Sequence, residues 1–189
     1  MSKIVLENVS KAFGSNRVLD GVTLTVEPGE SVVIIGQSGS GKSVMLKSIL
    51  GLVQPHRGSI KIDGVEVVGM RGRDLDRMRA KFGMLFQGSA LFDSLPVWRN
   101  VTFALTQGRI VSSRKVRKIA EENLERVGLD RSILELKPNE LSGGMQKRVA
   151  LARAIAPRPE IIFFDEPTTG LDPIRADVTN DLIMALTEG

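Results

Sequence analysis

Gly36-Gln37-Ser38-Gly39-Ser40-Gly41-Lys42-Ser43 is the stretch on which the reading of this chain turns. It fits G-x-x-x-x-G-K-[ST], a loop that cradles phosphate groups with its backbone. An apolar run, Ser31-Val32-Val33-Ile34-Ile35, precedes it and predicts a buried strand. The segment Val44 to Leu50 follows with the apolar spacing of a helix. Strand, glycine loop and helix in that order separate a phosphate site from a Gly/Ser turn that merely precedes a lysine. The glycines let successive N–H groups converge on phosphate oxygens, and the helix start adds partial positive charge. Lys42 then reaches the β- and γ-phosphates, and the Ser43 hydroxyl ligates Mg²⁺. The expected nucleotide-contacting set here is Gly36, Gln37, Ser38, Gly39, Ser40, Gly41, Lys42, Ser43 and Val44.

A second element completes that chemistry. Ile161-Ile162-Phe163-Phe164 is an apolar strand pattern that runs into Asp165 and Glu166. Ligands collect at the carboxyl ends of parallel strands. Asp165 is therefore expected to hold Mg²⁺, through water, and Glu166 to orient or deprotonate the attacking water. Alone, an apolar strand ending in two acids is weak evidence; it gains force from the phosphate loop upstream.

Composition narrows the class. A chain of 189 residues suffices for one domain with a real core. Its 42% hydrophobic and 25% charged residues are those of an ordinary globular protein. With no cysteine, disulfides and cysteine-bound zinc are excluded. No run approaches the roughly 18 apolar residues that cross a bilayer, and the N-terminus lacks a signal-type apolar region. A cytoplasmic location is the expectation. The net charge of +4 is mild. Arg114-Lys115-Val116-Arg117-Lys118 is basic, but Glu121 and Glu122 follow, so it reads as a solvated helix face and no nucleic-acid partner is expected.

The remaining segments fall into two patterns. Ile4–Val9 and Val22–Val26 predict strands of an antiparallel sheet, with Glu27-Pro28-Gly29-Glu30 as a turn. Ser59 to Val67 predicts a hairpin around Asp63-Gly64. Asp74–Arg79 predicts a helix, and Phe82–Phe86 a short buried strand ending at Gln87. From about Gly88 to Leu141 helical patterns dominate, notably Ser113–Val127 with Gly128 as its C-terminal stop. A helix from about Ser142 to Ala156 follows, and Pro173 opens a last helix.

Leu141-Ser142-Gly143-Gly144-Met145 lies between the two phosphate elements, and here the chain resembles the ATP-binding-cassette (ABC) ATPases. Their LSGGQ signature is matched except that Met145 stands in place of glutamine. The family's order of motifs is otherwise kept from Ile4 onward. Gln87 matches the Q-loop glutamine, Asp165 and Glu166 the Walker B pair, and Gly170-Leu171-Asp172 the D-loop. Phe13 lies where the family places an adenine-stacking aromatic, and core packing is the competing reading for it. The resemblance implies an α/β fold: a P-loop NTPase (RecA-like) core with an N-terminal antiparallel β subdomain and an inserted α-helical subdomain. On that plan 1–87 and 146–189 form the core with its β subdomain, and 88–145 the insert. It also implies ATP and Mg²⁺ as ligands. Catalysis falls to Glu166, Lys42 and Gln87. Metal is bound by Ser43, Gln87 and Asp165. The nucleotide contacts gain Phe13, Ser142, Gly143, Gly144 and Asp172. Ser142, Gly143 and Gly144 open a helix, so they form another anion site, one that closes on ATP held by a second copy. Gln87 is implied to contact Mg²⁺ or the water and to relay site closure to the insert.

The implied partners are a second copy, an integral membrane permease and a lipid-binding protein, with the chain peripheral on the cytoplasmic face. Met145-Gln146-Lys147-Arg148 and Gly83 to Phe92 resemble the ATPases of bacterial Mla-type phospholipid transporters. Amino-acid and other small-solute importers share most of the pattern and stay open as the alternative. Soluble ABC proteins acting on DNA or ribosomes are the more distant rival; the short separation of loop and signature, the single cassette and the lack of cysteine count against them. A small-molecule kinase has no use for the signature. The family's switch histidine comes after a further core strand. The only histidine is His56, expected at the surface, and the chain ends at Gly189. On this reading the 189 residues form a cassette that binds ATP and hydrolyses it poorly or not at all. Trp98 reads as packing, with contact to the membrane partner as the alternative.

Overall fold

In a computed structural model, which describes residues 1–86, 88–106 and 112–165, the alternation that starts at Ile4 becomes strand β1 (Ile4–Phe13). Ile4, Leu6 and Val9 are all buried, although strict alternation would turn Val9 outward. The strand register slips between Leu6 and Val9, and Asn8 sits at φ 51°, so a bulge returns Val9 to the core face. The displaced Asn8 N–H is satisfied by the Thr23 hydroxyl at 3.1 Å. Strand β2 (Asn16–Val26) pairs antiparallel with β1, and β3 (Arg57–Ile62) pairs on its other side. A short β4 (Val65–Glu66) closes the sheet in the order β2-β1-β3-β4. Asp63 and Gly64 join β3 to β4 at φ 49° and 76°, the two left-handed residues that a type I′ hairpin turn demands. Helices α1 (Lys42–Ile49) and α2 (Gly72–Arg79) belong to the same unit, Met1–Arg79.

One strand expectation fails. Ser31–Ile35 forms no ladder, and Val33 and Ile35 are 82% and 91% exposed. Its unbroken apolar pattern suits a parallel sheet covered on both faces. The sheet of this unit is antiparallel, in the order β2-β1-β3-β4, and the run is not one of its strands.

The second unit, Ala80–Gly189, is built on helices and a parallel strand pair. Strands β5 (Phe82–Leu85) and β6 (Ile161–Phe164) run parallel, with Phe82 opposite Ile161 and Leu85 opposite Phe164. Helices α3 (Val97–Val101), α5 (Ser113–Arg126) and α6 (Gly143–Ile155) supply its core, and the short α4 (Phe103–Thr106) packs its partly buried Leu105 against it. Val116, Ala120, Asn123 and Leu124 form the buried stripe of α5, at the spacing of one helix face. Ala120 and Leu124 of the stripe meet Val97, Val101 and Val149 in one apolar cluster, with Trp98 packed partly buried against it. Helix α5 ends as its glycine predicts. Gly128 is left-handed at φ 68°, its N–H bonds to the Glu125 carbonyl, and the Leu129 N–H bonds to that of Leu124. The helix expected from Pro173 lies outside the described residues. None of the described helices is long and apolar enough to cross a membrane.

Gly83 marks where β5 meets α6. A Cβ at this position would lie 2.5 Å from the Ala154 carbonyl oxygen and 2.9 Å from the Pro159 ring. The nearer atom is backbone and cannot swing away. Gly83→Ala is therefore expected to destabilise the fold by about 1–3 kcal/mol, the usual cost of overpacking. Chemical denaturation measures it, and an unchanged midpoint would show that α6 can lift off β5 freely.

Candidate functional site

The phosphate loop is drawn by its glycines. Gly39 and Gly41 are left-handed at φ 80° and 96°. Gly41 also packs against β2, where a Cβ would lie 2.7 Å from the Val18 carbonyl oxygen. Gly36 has similar constraint, since a Cβ there would meet the Ser40 hydroxyl at 2.6 Å. Helix α1 begins at Lys42 with no side-chain cap and no acidic residue in its first turn. Its opening N–H groups and its positive dipole end are thus left for an anion. The Lys42 ammonium donates to the carbonyls of Gly36 at 2.6 Å and Gln37 at 3.0 Å, which folds the cation over the loop. Ser43 follows, exposed, in the first turn. These residues fit a nucleoside triphosphate: a glycine loop with backbone donors, one ammonium, and one hydroxyl of the kind Mg²⁺ accepts.

Phe13 ends β1 with its side chain 52% exposed and the Lys11 ammonium 5.2 Å from the ring centre. The core-packing alternative for Phe13 does not hold. His56 is exposed, as expected.

In the second unit, Ser142 caps α6. Its hydroxyl accepts the Met145 N–H at 3.3 Å, and Ser142 and Gly143 are exposed. Space is open around Gly143, so an anion can approach the helix start closely. The fifth signature position, Met145, turns inward and packs against the apolar cluster. Asp165 follows β6 at the carboxyl end of the parallel pair, its N–H bonded to the Leu85 carbonyl at 2.9 Å. That is the strand end at which the pattern places a carboxylate. Gln87, Glu166 and Asp172 lie outside the described residues.

The known proteins decide the family. ABC transporters match residues 19–169 of this chain. The chain belongs to the ABC transporter family. Among curated relatives, the protein described as "Probable ribonucleotide transport ATP-binding protein mkl" from Mycobacterium tuberculosis is 44% identical over 181 residues, covering 96% of this chain and 50% of its own length. The chain thus spans about half the length of that relative. The "Intermembrane phospholipid transport system ATP-binding protein MlaF" of Haemophilus influenzae is 41% identical over 185 residues, covering 98% of this chain and 70% of its own. A solved dimer of the ATP-binding cassette MJ0796 bound to ADP and Pi superposes with a TM-score of 0.88 at 37% identity, covering 98% of this chain and 83% of that one. The ABC cassette fold, a mixed α/β P-loop NTPase, is therefore shown.

One site-related residue of this ABC chain belongs to none of its motifs. Arg153 of α6 donates to the carbonyls of Ser89 and Ala90, both at 2.7 Å. Those two residues follow the Gln87 segment and are left-handed without being glycine, at φ 61° and 46°. A guanidinium held across two carbonyls stabilises a conformation that otherwise costs free energy. Burial pulls the Arg153 pKa below its ordinary value. Helix α6 thus carries the signature at its start and fastens the loop after Gln87 from its last turn. The available signal in the sequence is a single cation in the otherwise apolar run Val149 to Ile155.

Proposed function

We propose that this chain is the ATP-binding and ATP-hydrolysing subunit of an ABC transporter. In this role it powers a membrane permease through ATP-driven, head-to-tail pairing of two copies. The observation that carries the reading is the exposed Ser142-Gly143 start of α6, a second anion-binding helix end besides the phosphate loop. Within one copy, Gly36 to Val44 bind the triphosphate, Phe13 stacks on adenine, and Lys42 neutralises the terminal phosphates. The Ser142 turn and Asp172 contact ATP held by the other copy. The site residues suited to Mg²⁺ are Ser43, Gln87 and Asp165, and the ion supplies charge neutralisation at the phosphates. Glu166 positions the attacking water and takes its proton, and Gln87 reports closure to the helical segments. ATP bound from both sides holds the pair together, and hydrolysis releases it. The chain then sits on the cytoplasmic face of the membrane beside its permease.

The cargo we assign is phospholipid moving between bacterial membranes, with a lipid-binding protein as further partner. The support is the likeness of Met145 to Arg148 and Gly83 to Phe92 to Mla-type ATPases, together with the 41% identity to MlaF. The relative named for ribonucleotide transport is more identical, at 44%, so small-solute cargo is the competing outcome. Lipid and solute uptake by the reconstituted transporter distinguishes the two.

Glu166→Gln tests the mechanism. Losing a general base lowers turnover by about 10²–10⁴-fold. In the complete protein, carried through the family's switch histidine, phosphate release is expected to fall by that factor, with ATP affinity kept and an ATP-bound dimer trapped on gel filtration. Unchanged turnover removes Glu166 from this role.

A further inference from the structure

Helix α5 carries its charges in the wrong order for its own dipole. Arg114, Lys115, Arg117 and Lys118 crowd its start, and no acidic residue stands in the first turn. The backbone there already presents partial positive charge, so the arrangement costs stability. Glu121, Glu122 and Glu125 come only afterwards. Core packing does not impose this order, because Val116, Ala120 and Leu124 supply the inward stripe while Arg114, Lys115 and Lys118 are exposed. Two of the four cations have internal partners. Arg117 pairs with Glu135 and lies 4.7 Å over the Trp98 ring, and Lys118 stands 3.9 Å from Glu122. Arg114 and Lys115 pair with no carboxylate among the described residues. The four cations, with Ser112 and Glu121, line one open groove of about 710 Å³. A segment that breaks a local stability rule without an internal gain is explained by something it meets.

We infer that this basic face of α5 rests on an anionic phospholipid surface. The inference depends on the proposed transporter role, in which a permease holds the cassette beside a membrane. The cations spread along an exposed face with no buried polar side chain converging between them, which suits many phosphates in a plane better than one small anion. Permease loops on the cytoplasmic side carry an excess of Lys and Arg, the same sign as α5, whereas the cytoplasmic leaflet is negative. A nucleic-acid backbone tracking the helix would run onto Glu121, Glu122 and Glu125. Four charges bind weakly alone, and tethering through the permease raises their effective concentration.

The test is co-sedimentation of the full chain with vesicles of phosphatidylcholine, with or without a third phosphatidylglycerol. Binding is expected only to the anionic vesicles, weakening as salt screens the charges. Each cation is worth about fivefold near such a surface, so Arg114→Gln, Lys115→Gln and Lys118→Gln together are expected to lower binding roughly a hundredfold. The control Arg71→Gln, Arg73→Gln, Arg77→Gln removes the same net charge from around α2 and is expected to leave binding within a few-fold. Equal loss in the control overturns the proposal, as does displacement by millimolar inorganic phosphate or a preference for duplex DNA over the vesicles. A wild-type chain that ignores anionic vesicles at low salt overturns it whatever the variants do. Lys42→Ala separates this inference from the ATPase reading, because it weakens nucleotide binding and is expected to leave vesicle binding intact.

Discussion

Lys42→Ala is expected to weaken ATP binding by roughly 10–150-fold, the worth of about 1.5–3 kcal/mol for a hydrogen bond to a charged group. The structure explains why so much rests on one side chain. The loop offers neutral backbone donors, and Lys42 is the cation folded over it, bonded to the carbonyls of Gly36 and Gln37. A triphosphate brings several negative charges to that loop, and the ammonium exchanges two carbonyls for phosphate oxygens. Alanine leaves the helix start intact, so residual affinity comes from the α1 dipole and the loop N–H groups. Stability is expected to change little, because the two bonds of the lysine stay within the loop. Lys42→Arg keeps the charge but not the compact ammonium, and a planar fork fits the small loop poorly, so it is expected to recover only part of the affinity. Isothermal titration with ATP measures both variants. Affinity for ATP that is unchanged in Lys42→Ala would remove the phosphate loop from nucleotide binding.

The largest effect on folding is expected from Asn100→Asp. Asn100 is fully buried, and its amide joins α3 to the loop before it. Its side-chain oxygen accepts the Phe92 N–H at 2.8 Å. Its NH₂ group donates to the carbonyls of Phe92 at 3.1 Å, Leu95 at 2.9 Å and Pro96 at 3.4 Å. A carboxylate of nearly the same shape keeps the one acceptor contact and turns every donor contact into oxygen facing oxygen. An uncompensated buried charge costs about 3–5 kcal/mol, a large fraction of the about 5–15 kcal/mol that holds a domain together. The sign with pH follows from linkage. The new carboxyl is easier to keep neutral when folded, so its folded pKa lies above the unfolded value of about 3.9. The folded state then binds more protons, and stability falls as pH rises through that window. Urea unfolding at neutral and acid pH tests this: the deficit relative to Asn100 is expected to be smallest near about pH 4, close to the unfolded carboxyl value. A pH-independent deficit would show that water reaches the site.

Much of the fold can be read from local residue patterns. The Asp63-Gly64 hairpin, the Gly128 stop and the Ser142 cap each depend on residues within a few positions of one another. Glycine freedom, side-chain caps and helix spacing act over that range. The phosphate loop belongs to the same class, which is why Gly36–Ser43 is legible from residue order alone. Arg153 and Asn100 are not. Each is a polar residue in an apolar context, and its purpose depends on carbonyls that the pattern alone does not bring near. Gly83 likewise reads as an ordinary strand glycine until Ala154 is set against it.

Ser31–Ile35 shows where that legibility stops. Its residues have the composition of a buried strand, yet a strand exists only through its neighbours' N–H and C=O groups and a cover for both faces. By itself the sequence determined the glycine loop of Gly36–Ser43, the Gly128 stop and the Ser142 cap, the hairpin and the family. The tertiary structure alone decided which apolar run was paired, that the Phe13 ring stands outside the core, and which buried polar groups were satisfied. Turns and caps are closed by groups adjacent along the chain, whereas ladders and burial are supplied by groups far from it in sequence.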